Sequence, residues 1–296
     1  MQKIDDEQNT TNVVVKRKSK SGQRAVFSSL KWFSVATTVI AMIALVGVIV
    51  FIVANGVDKI TPQLLWGKYG KYPSILPALS GTIQLVLVSI AIAGPIGIAS
   101  AIFLVEYTNN KGRFVRAIRI ATETLAGIPS IVYGLFGYLV FVVSFGWGYS
   151  LLGGGLTLAI MILPVIVRST EESLLSVPQN FREGAYALGT SKVRTIFRVI
   201  LPSASGGIVT ALILAIGRVV SESAVLILTI GMVVNKMPSS IMSPGTSLAL
   251  DVYYFGSHGY PDEAAATAVV LLVFVIAINC VAGLLGKFLK KGIGEK

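Results

Sequence analysis

Three ionisable residues stand where an apolar chain has least use for them. Arg218 and Glu222 fall inside the run ILAIGRVVSESAVLIL, and Glu123 falls just ahead of Gly127-Ile128-Pro129-Ser130. A charge at the centre of a membrane-spanning helix costs about 2.5 to 3.5 kcal/mol on insertion scales, so such residues mark a polar path or a locked pair. On a continuous helix a spacing of four puts Arg218 and Glu222 on one face, free to pair with each other or to point into a passage. The planar donor fork of arginine suits an oxyanion, and a neighbouring carboxylate keeps that anion from being trapped, as passage requires. Glu123 reads either as a carboxylate in interfacial water or as part of a gate beside a bent helix.

Other chemistries lack their residues. The chain has one histidine, His258, in a polar segment, and one cysteine, Cys280, in an apolar run. This rules out a disulfide and a Cys/His metal site, and leaves a serine nucleophile without a well-placed base. No G-x-x-x-x-G-K-[ST] occurs, so the chain is expected to bind no cofactor and no nucleotide by that route.

The elements that must position these charges follow from hydropathy. Of 296 residues 54% are hydrophobic and 13% charged, and the mean hydropathy is +0.77, which places the chain in the integral membrane class. Runs near the length needed to cross hydrocarbon fall at 33–54, 83–105, 125–145, 151–167, 206–234 and 264–286. They predict an all-α protein of six membrane helices. The fourth is the shortest and opens on Gly153-Gly154-Gly155, the second carries Pro95, and Ala93, Gly97 and Ala101 space small residues for close helix approach.

Of the 25 Lys and Arg, 20 fall in segments on the same side as a basic tail 1–32, four on the other, and Arg218 within a span. That asymmetry predicts both termini in the cytoplasm. The tail residues Lys16, Arg17, Lys18 and Lys20 read as a solvated anchor, and the first helix as retained rather than cleaved. The division expected is a tail 1–32, a six-helix domain 33–288 with a cytoplasmic loop 168–202, and an end 289–296. Because the basic residues lie between apolar runs, the net charge of +11 serves orientation in the bilayer and not nucleic acid.

The loop 168–202 has helix signals of its own. Ser176 and Gln179 stand at capping-box spacing around Pro178, and Gly189 suits a left-handed stop. Thr190 or Ser191 can cap a second helix, expected to run through Ile200 and end before Pro202. A helix pair projecting from the membrane is read either as an amphipathic loop on the surface or as a protein-binding knob.

The motif here decides for the knob by resemblance. Glu183, Ala185, Gly189, Leu201 and Pro202 follow the E-A-A-x3-G-x9-I-x-L-P spacing of bacterial ABC-importer permeases, with Gly184 and Val199 replacing an alanine and the isoleucine. The stretches ETLAGIPSIVYGLFG, ILPVIVRSTEESLLSVP, ILAIGRVVSESA and SLALDVYYFGSHG look like the permeases of phosphate importers, the last more like the A-type subunit (PstA) than the C-type (PstC). Ser221 departs from that pattern, standing where R-x2-G-E-x-A has glycine.

The resemblance implies a type I, MetI-like permease fold and a non-enzymatic transport subunit in a bacterial plasma membrane. Its partners would be a second, PstC-like permease, a PstB-like ATPase dimer that uses the ATP, and an extracytoplasmic PstS-like phosphate-binding protein. Permeases for molybdate, sulfate or a polyamine share the loop, and an ion-driven secondary transporter using Arg218 and Glu222 as a relay is the rival from another class.

Overall fold

The structure, a computed structural model, describes residues 20–67, 69–70, 73–108 and 112–292, with side chains from residue 27 to 284 except at 282. Lys16, Arg17 and Lys18 of the expected anchor therefore lie outside the described residues, as do 293–296 of the expected C-terminal end. The chain divides into two units, Met1–Phe51 and Ile52–Lys296.

Helix α1 (Lys20–Gly56) supplies the described part of the first unit. Every side chain described from Phe27 to Phe51 is exposed, bulky apolar ones such as Trp32, Ile40 and Phe51 among them. A helix that is apolar all round has hydrocarbon as its solvent, and its own hydrogen bonds satisfy its backbone.

The second unit is built around a buried helix. After α2 (Pro62–Trp66) come α3 (Leu76–Ile102), extended by a π-helical turn Phe103–Tyr107, and α4 (Arg113–Ala126). α5 (Ser130–Gly137) continues as a π-helical stretch to Ser144, and α6 (Leu151–Leu175) follows. The fourth span, expected to be the shortest, is thus a 25-residue helix and the most buried of the spans. Its glycines explain both the low hydropathy at its start and its central place. A β-carbon on Gly155 would come within 2.6 Å of Val88 on α3, and one on Gly97 of α3 within 2.7 Å of Ile166. Small residues thus let α3 and α6 pack backbone against side chain along their length.

The third span is not one helix. α4 and α5 meet at a 97° bend, because Gly127-Ile128-Pro129 interrupts the ladder: Pro129 has no N–H to donate and disfavours helical geometry at Ile128. The Tyr133 hydroxyl donates to the Leu125 carbonyl across the break, at 2.8 Å. α4 lies outside the expected span with Val115 buried against Leu104 and Val167 and Arg116 exposed.

Beyond α6 the chain forms α7 (Gln179–Ala187) and α8 (Lys192–Thr195), then a π-helical turn Ile196–Ile200 leading into α9 (Leu201–Val220). α10 (Ala224–Thr229), α11 (Leu248–Ser257) and α12 (Pro261–Gly292) complete the unit. α12 carries on through residues 289–292, expected to be tail. Among the described residues five helical stretches are long and apolar enough to cross a membrane, and the bent α4–α5 pair, counted as one span, makes six. The fifth span, expected as one run to Val234, ends its main helix at Val220. The segment between α10 and α11 then folds back onto the start of α6, where the Leu151 and Leu152 amides donate to Ser243 and Ile241 at 3.1 and 2.7 Å.

Candidate functional site

The helix pair α7–α8 is held at one end of the bundle. The expected loop start at Arg168 is still α6, which runs seven residues further to Leu175 and carries Arg168 and Glu172 as an ion pair at 3.1 Å. The Ser176 hydroxyl does not cap α7. It donates back to the Ser173 carbonyl at 2.7 Å, and Pro178 stands at the N-cap with no side-chain bond. The reason is competition: a serine just past a helix end finds a free carbonyl behind it before it reaches the amides ahead.

α7 is anchored instead by Arg182. Its guanidinium donates to Glu106 at 2.9 Å and to the Leu174 and Val177 carbonyls at 3.0 and 2.9 Å. The two charged side chains are only 12% and 6% exposed. This one side chain therefore ties α7 to the frayed end of α6 and to the π-helical end of α3. Sequence reasoning missed it; an arginine next to Glu183 and a glutamate at the foot of an apolar run were the visible signals.

The turn has the expected form. Gly189 has φ +75°, where an L side chain is strained and glycine is not. Its amide donates to Tyr186, the Thr190 amide and hydroxyl to Ala185 at 3.2 and 2.7 Å, and the Thr190 and Thr195 hydroxyls meet at 2.7 Å. Ala185 faces inward, whereas Glu183, Gly184 and Gly189 are exposed or nearly so, with nothing within reach of a β-carbon on either glycine. Leu188 is 85% exposed, and Tyr186, Val193 and Phe197 on the two arms of the pair are exposed as well. An apolar set at the tip of a polar, well-bonded turn has the composition of a docking surface.

The second helix does not stop before Pro202. From Lys192 to Val220 the chain is one helical stretch, and Val199, Leu201 and Pro202 lie within it. The π-helical turn Ile196–Ile200 places Pro202 in the first turn of α9, where its missing N–H and its ring are tolerated. Ile196 and Ile200 are fully buried with Leu174 and Ala101, so the second helix is rooted in the bundle.

The charges of the candidate path are not paired as their spacing suggested. α9 ends at Val220, and Glu222 lies in the break before α10, so the two residues do not share a continuous helix. Among the described residues neither takes part in an ion pair. A Glu222 oxygen accepts from the Val225 amide at 3.3 Å, capping α10. Ser221 has φ −88°, which needs no glycine, and its hydroxyl closes the last turn of α9 on the Gly217 carbonyl at 2.9 Å. Arg218 is half-buried and acts electrostatically on Tyr133 of α5. Its neighbours Ala215 and Val219 belong to the central apolar cluster with Ala93, Tyr133 and Ile162, which fixes the depth of the guanidinium in the bundle.

Glu123 is elsewhere. It pairs with Arg168 at 3.2 Å, both side chains being more than half exposed. One helical turn away Arg119 donates to the nearly buried Glu171 at 2.7 Å through Nε. These contacts fasten α4 to α6 below the bend. Glu123 thus joins an ionic seam and is not brought to Arg218 or Glu222.

Residues 93–295 match the family model of the binding-protein-dependent transport system inner membrane component. The chain belongs to that family. It is a membrane transport subunit, an ABC transporter permease, whose family is not a catalytic one. The permease is 34% identical over 278 residues to the probable ABC transporter permease protein YqgI of Bacillus subtilis, covering 88% of this chain and 94% of that one. It is 33% identical over 270 residues to the phosphate transport system permease protein PstA 1 of Mycobacterium tuberculosis H37Rv, covering 85% and 86%.

Among solved structures, an alginate ABC transporter matches with a TM-score of 0.66 at 14% identity, over 90% of the permease and 98% of that chain. An inward-facing MetNI methionine ABC transporter matches with a TM-score of 0.62 at 17% identity, over 78% and 99%. The fold is accordingly that of MetI-type importer permeases, mostly helical and without strands among the described residues.

Proposed function

We propose that the permease is one half of the translocation path of an ATP-driven importer of inorganic phosphate, set in the bacterial plasma membrane with both termini in the cytoplasm. A second, PstC-like permease completes the path, a PstB-like ATPase dimer binds below, and a PstS-like binding protein delivers phosphate from outside. The observation that carries this reading is the α7–α8 pair: a rigidly anchored turn at one end of the bundle that presents Leu188 and its apolar neighbours to solvent. Glu183, Gly184, Ala185 and Gly189 form the face and turn of the knob, while Val199, Leu201 and Pro202 carry its second helix into the bundle.

Phosphate is favoured within the class by relatives named as phosphate transport permeases and by Arg218, a half-buried guanidinium that joins no ion pair among the described residues. A cationic substrate such as a polyamine would meet repulsion there; molybdate and sulfate would not. Glu222 keeps a place beside the path through its bond to Val225, and Glu123 serves the seam that closes it on the cytoplasmic side. Co-purification tests the coupling assignment: the tagged permease should retain a co-expressed PstB-like ATPase, and Leu188→Asp should release the ATPase while the permease remains in the membrane. Retention of the ATPase by that variant would contradict the role given to the knob.

A further inference from the structure

At the end of the bundle opposite α7–α8, one carboxyl is fully buried. Asp251 sits in the first turn of α11 with 0% exposure. One of its oxygens accepts a hydrogen bond from the Thr246 hydroxyl, and the other, Oδ2, has no hydrogen-bond partner among the described residues. A buried carboxylate with an oxygen unpaired is costly, whereas the neutral acid avoids the penalty of burying a charge.

Among the described residues, no ion pair to Asp251 is formed. From the segment ahead of α3 comes Tyr69, which interacts with Asp251, Tyr254, Tyr260 and Glu263, none of them cationic at neutral pH. α3 carries no ionisable side chain, and on α12 Asp262 is taken by Lys59 at 3.0 Å. Lys236, on the segment between α10 and α11, is exposed. Burial is the larger influence on the Asp251 carboxyl and pushes its pKa up to about 8, with the Thr246 hydroxyl opposing.

The contacts around Asp251 are those that close this end of the bundle. The Thr246 carbonyl lies where a β-carbon on Gly81 of α3 would come within 2.0 Å, so only glycine lets the segment seat there. The next amide anchored, that of Leu248, donates to the Thr82 hydroxyl of α3 at 2.9 Å. Thr246, just ahead of α11, and Asp251, in its first turn, thus sit on one side of a clasp whose other side is Gly81 and Thr82 of α3.

We propose that Asp251 is a proton-binding site: the clasp holds its carboxyl as the neutral acid, and opening of residues 245–251 to water lets the proton go at lower pH than the closed clasp does. Both states balance with water as the proton acceptor. The sign follows from linkage. Below the ordinary carboxylate value both states are protonated and the clasp keeps its full stability. Between that value and about 8 the closed state holds a proton that the open state has lost, so each pH unit upward favours opening tenfold.

The test uses the full chain in lipid nanodiscs. Infrared titration should show a protonated-carboxyl C=O band that disappears with a midpoint near 8 and is absent in Asp251→Asn. Thr246→Val, which removes the donor that stabilises the ionised form, should move the midpoint higher. Amide hydrogen exchange at 245–251, corrected for its intrinsic pH dependence, should speed up about tenfold per unit between pH 5 and 8 in the parent and be flat in Asp251→Asn. A parent in which no carboxyl band titrates above the ordinary carboxylate range overturns the proposal, even if neither variant folds. PH-independent exchange in the parent overturns the link to the clasp.

Discussion

Arg182 reaches Glu106 across 76 residues of sequence, and the pair joins the helix that presents the knob to the last turn of α3. The guanidinium is shared with two carbonyls at the end of α6, so its position is fixed from three sides. Removing one partner of a buried ion pair leaves the other uncompensated, at a cost of about 3 to 5 kcal/mol.

Arg182→Met should therefore loosen α7 and lower the thermal midpoint of the permease. Glu106→Gln keeps the shape and an acceptor and should be milder. Thermal unfolding of both variants, read beside uptake per ATP hydrolysed by the assembled importer, checks this. Equal midpoints for Arg182→Met and the parent would deny the anchor.

Gly189→Val places a β-branched residue at φ +75°, at a cost of at least about 1 to 2 kcal/mol for the turn. Space is not the obstacle, since a β-carbon there meets nothing. The variant should insert normally yet lose most of its coupling, with uptake per ATP hydrolysed as the readout. Full coupling would show that the turn geometry is dispensable.

The knob's turn was legible in the sequence because a glycine at one position and small residues before it answer to local geometry. The buried ion pair was not, because it joins residues far apart, and neither residue is unusual where it stands. The six-span count survived, but its details shifted wherever local chemistry overrode hydropathy. Pro129 splits the third span, the π-helical turn lets Pro202 sit inside a helix expected to end, and α6 outruns its expected end because the charged residues after Val167 stay helical. Of the two readings open for Arg218 and Glu222, mutual pairing is not formed: i,i+4 spacing brings residues together only on an unbroken helix, and α9 ends between them. Asp251 gave no signal, since its burial is a tertiary fact.

Arg218→Gln retains approximate length and polarity while losing charge and donor fork. If Arg218 attracts the anion, phosphate uptake should fall at least tenfold with assembly intact, and adding Glu222→Gln should not restore it. Because Glu222 bonds the Val225 amide and not Arg218, Glu222→Gln alone should be mild, with Gln still able to accept. Wild-type uptake by Arg218→Gln would take the guanidinium off the path.

Orientation is checked by labelling. Ser191 beside the knob and Ser257 at the end of α11 are both exposed, so single cysteines there, with Cys280 replaced by serine, report on opposite faces. An impermeant thiol reagent added to intact cells should label Ser257→Cys and spare Ser191→Cys. Labelling of both from outside would overturn the six-span orientation.

The central claim is that this chain moves phosphate only as part of an ATP-driven assembly. Its most direct measurement is uptake of labelled phosphate into proteoliposomes holding the permease and its second permease subunit, with the phosphate-binding protein outside, and with or without the ATPase and internal ATP. The account predicts accumulation that requires both ATPase and ATP and is not displaced by excess sulfate or molybdate. Accumulation driven by an ion gradient without the ATPase, or ATP-driven accumulation of another solute in preference to phosphate, would contradict it.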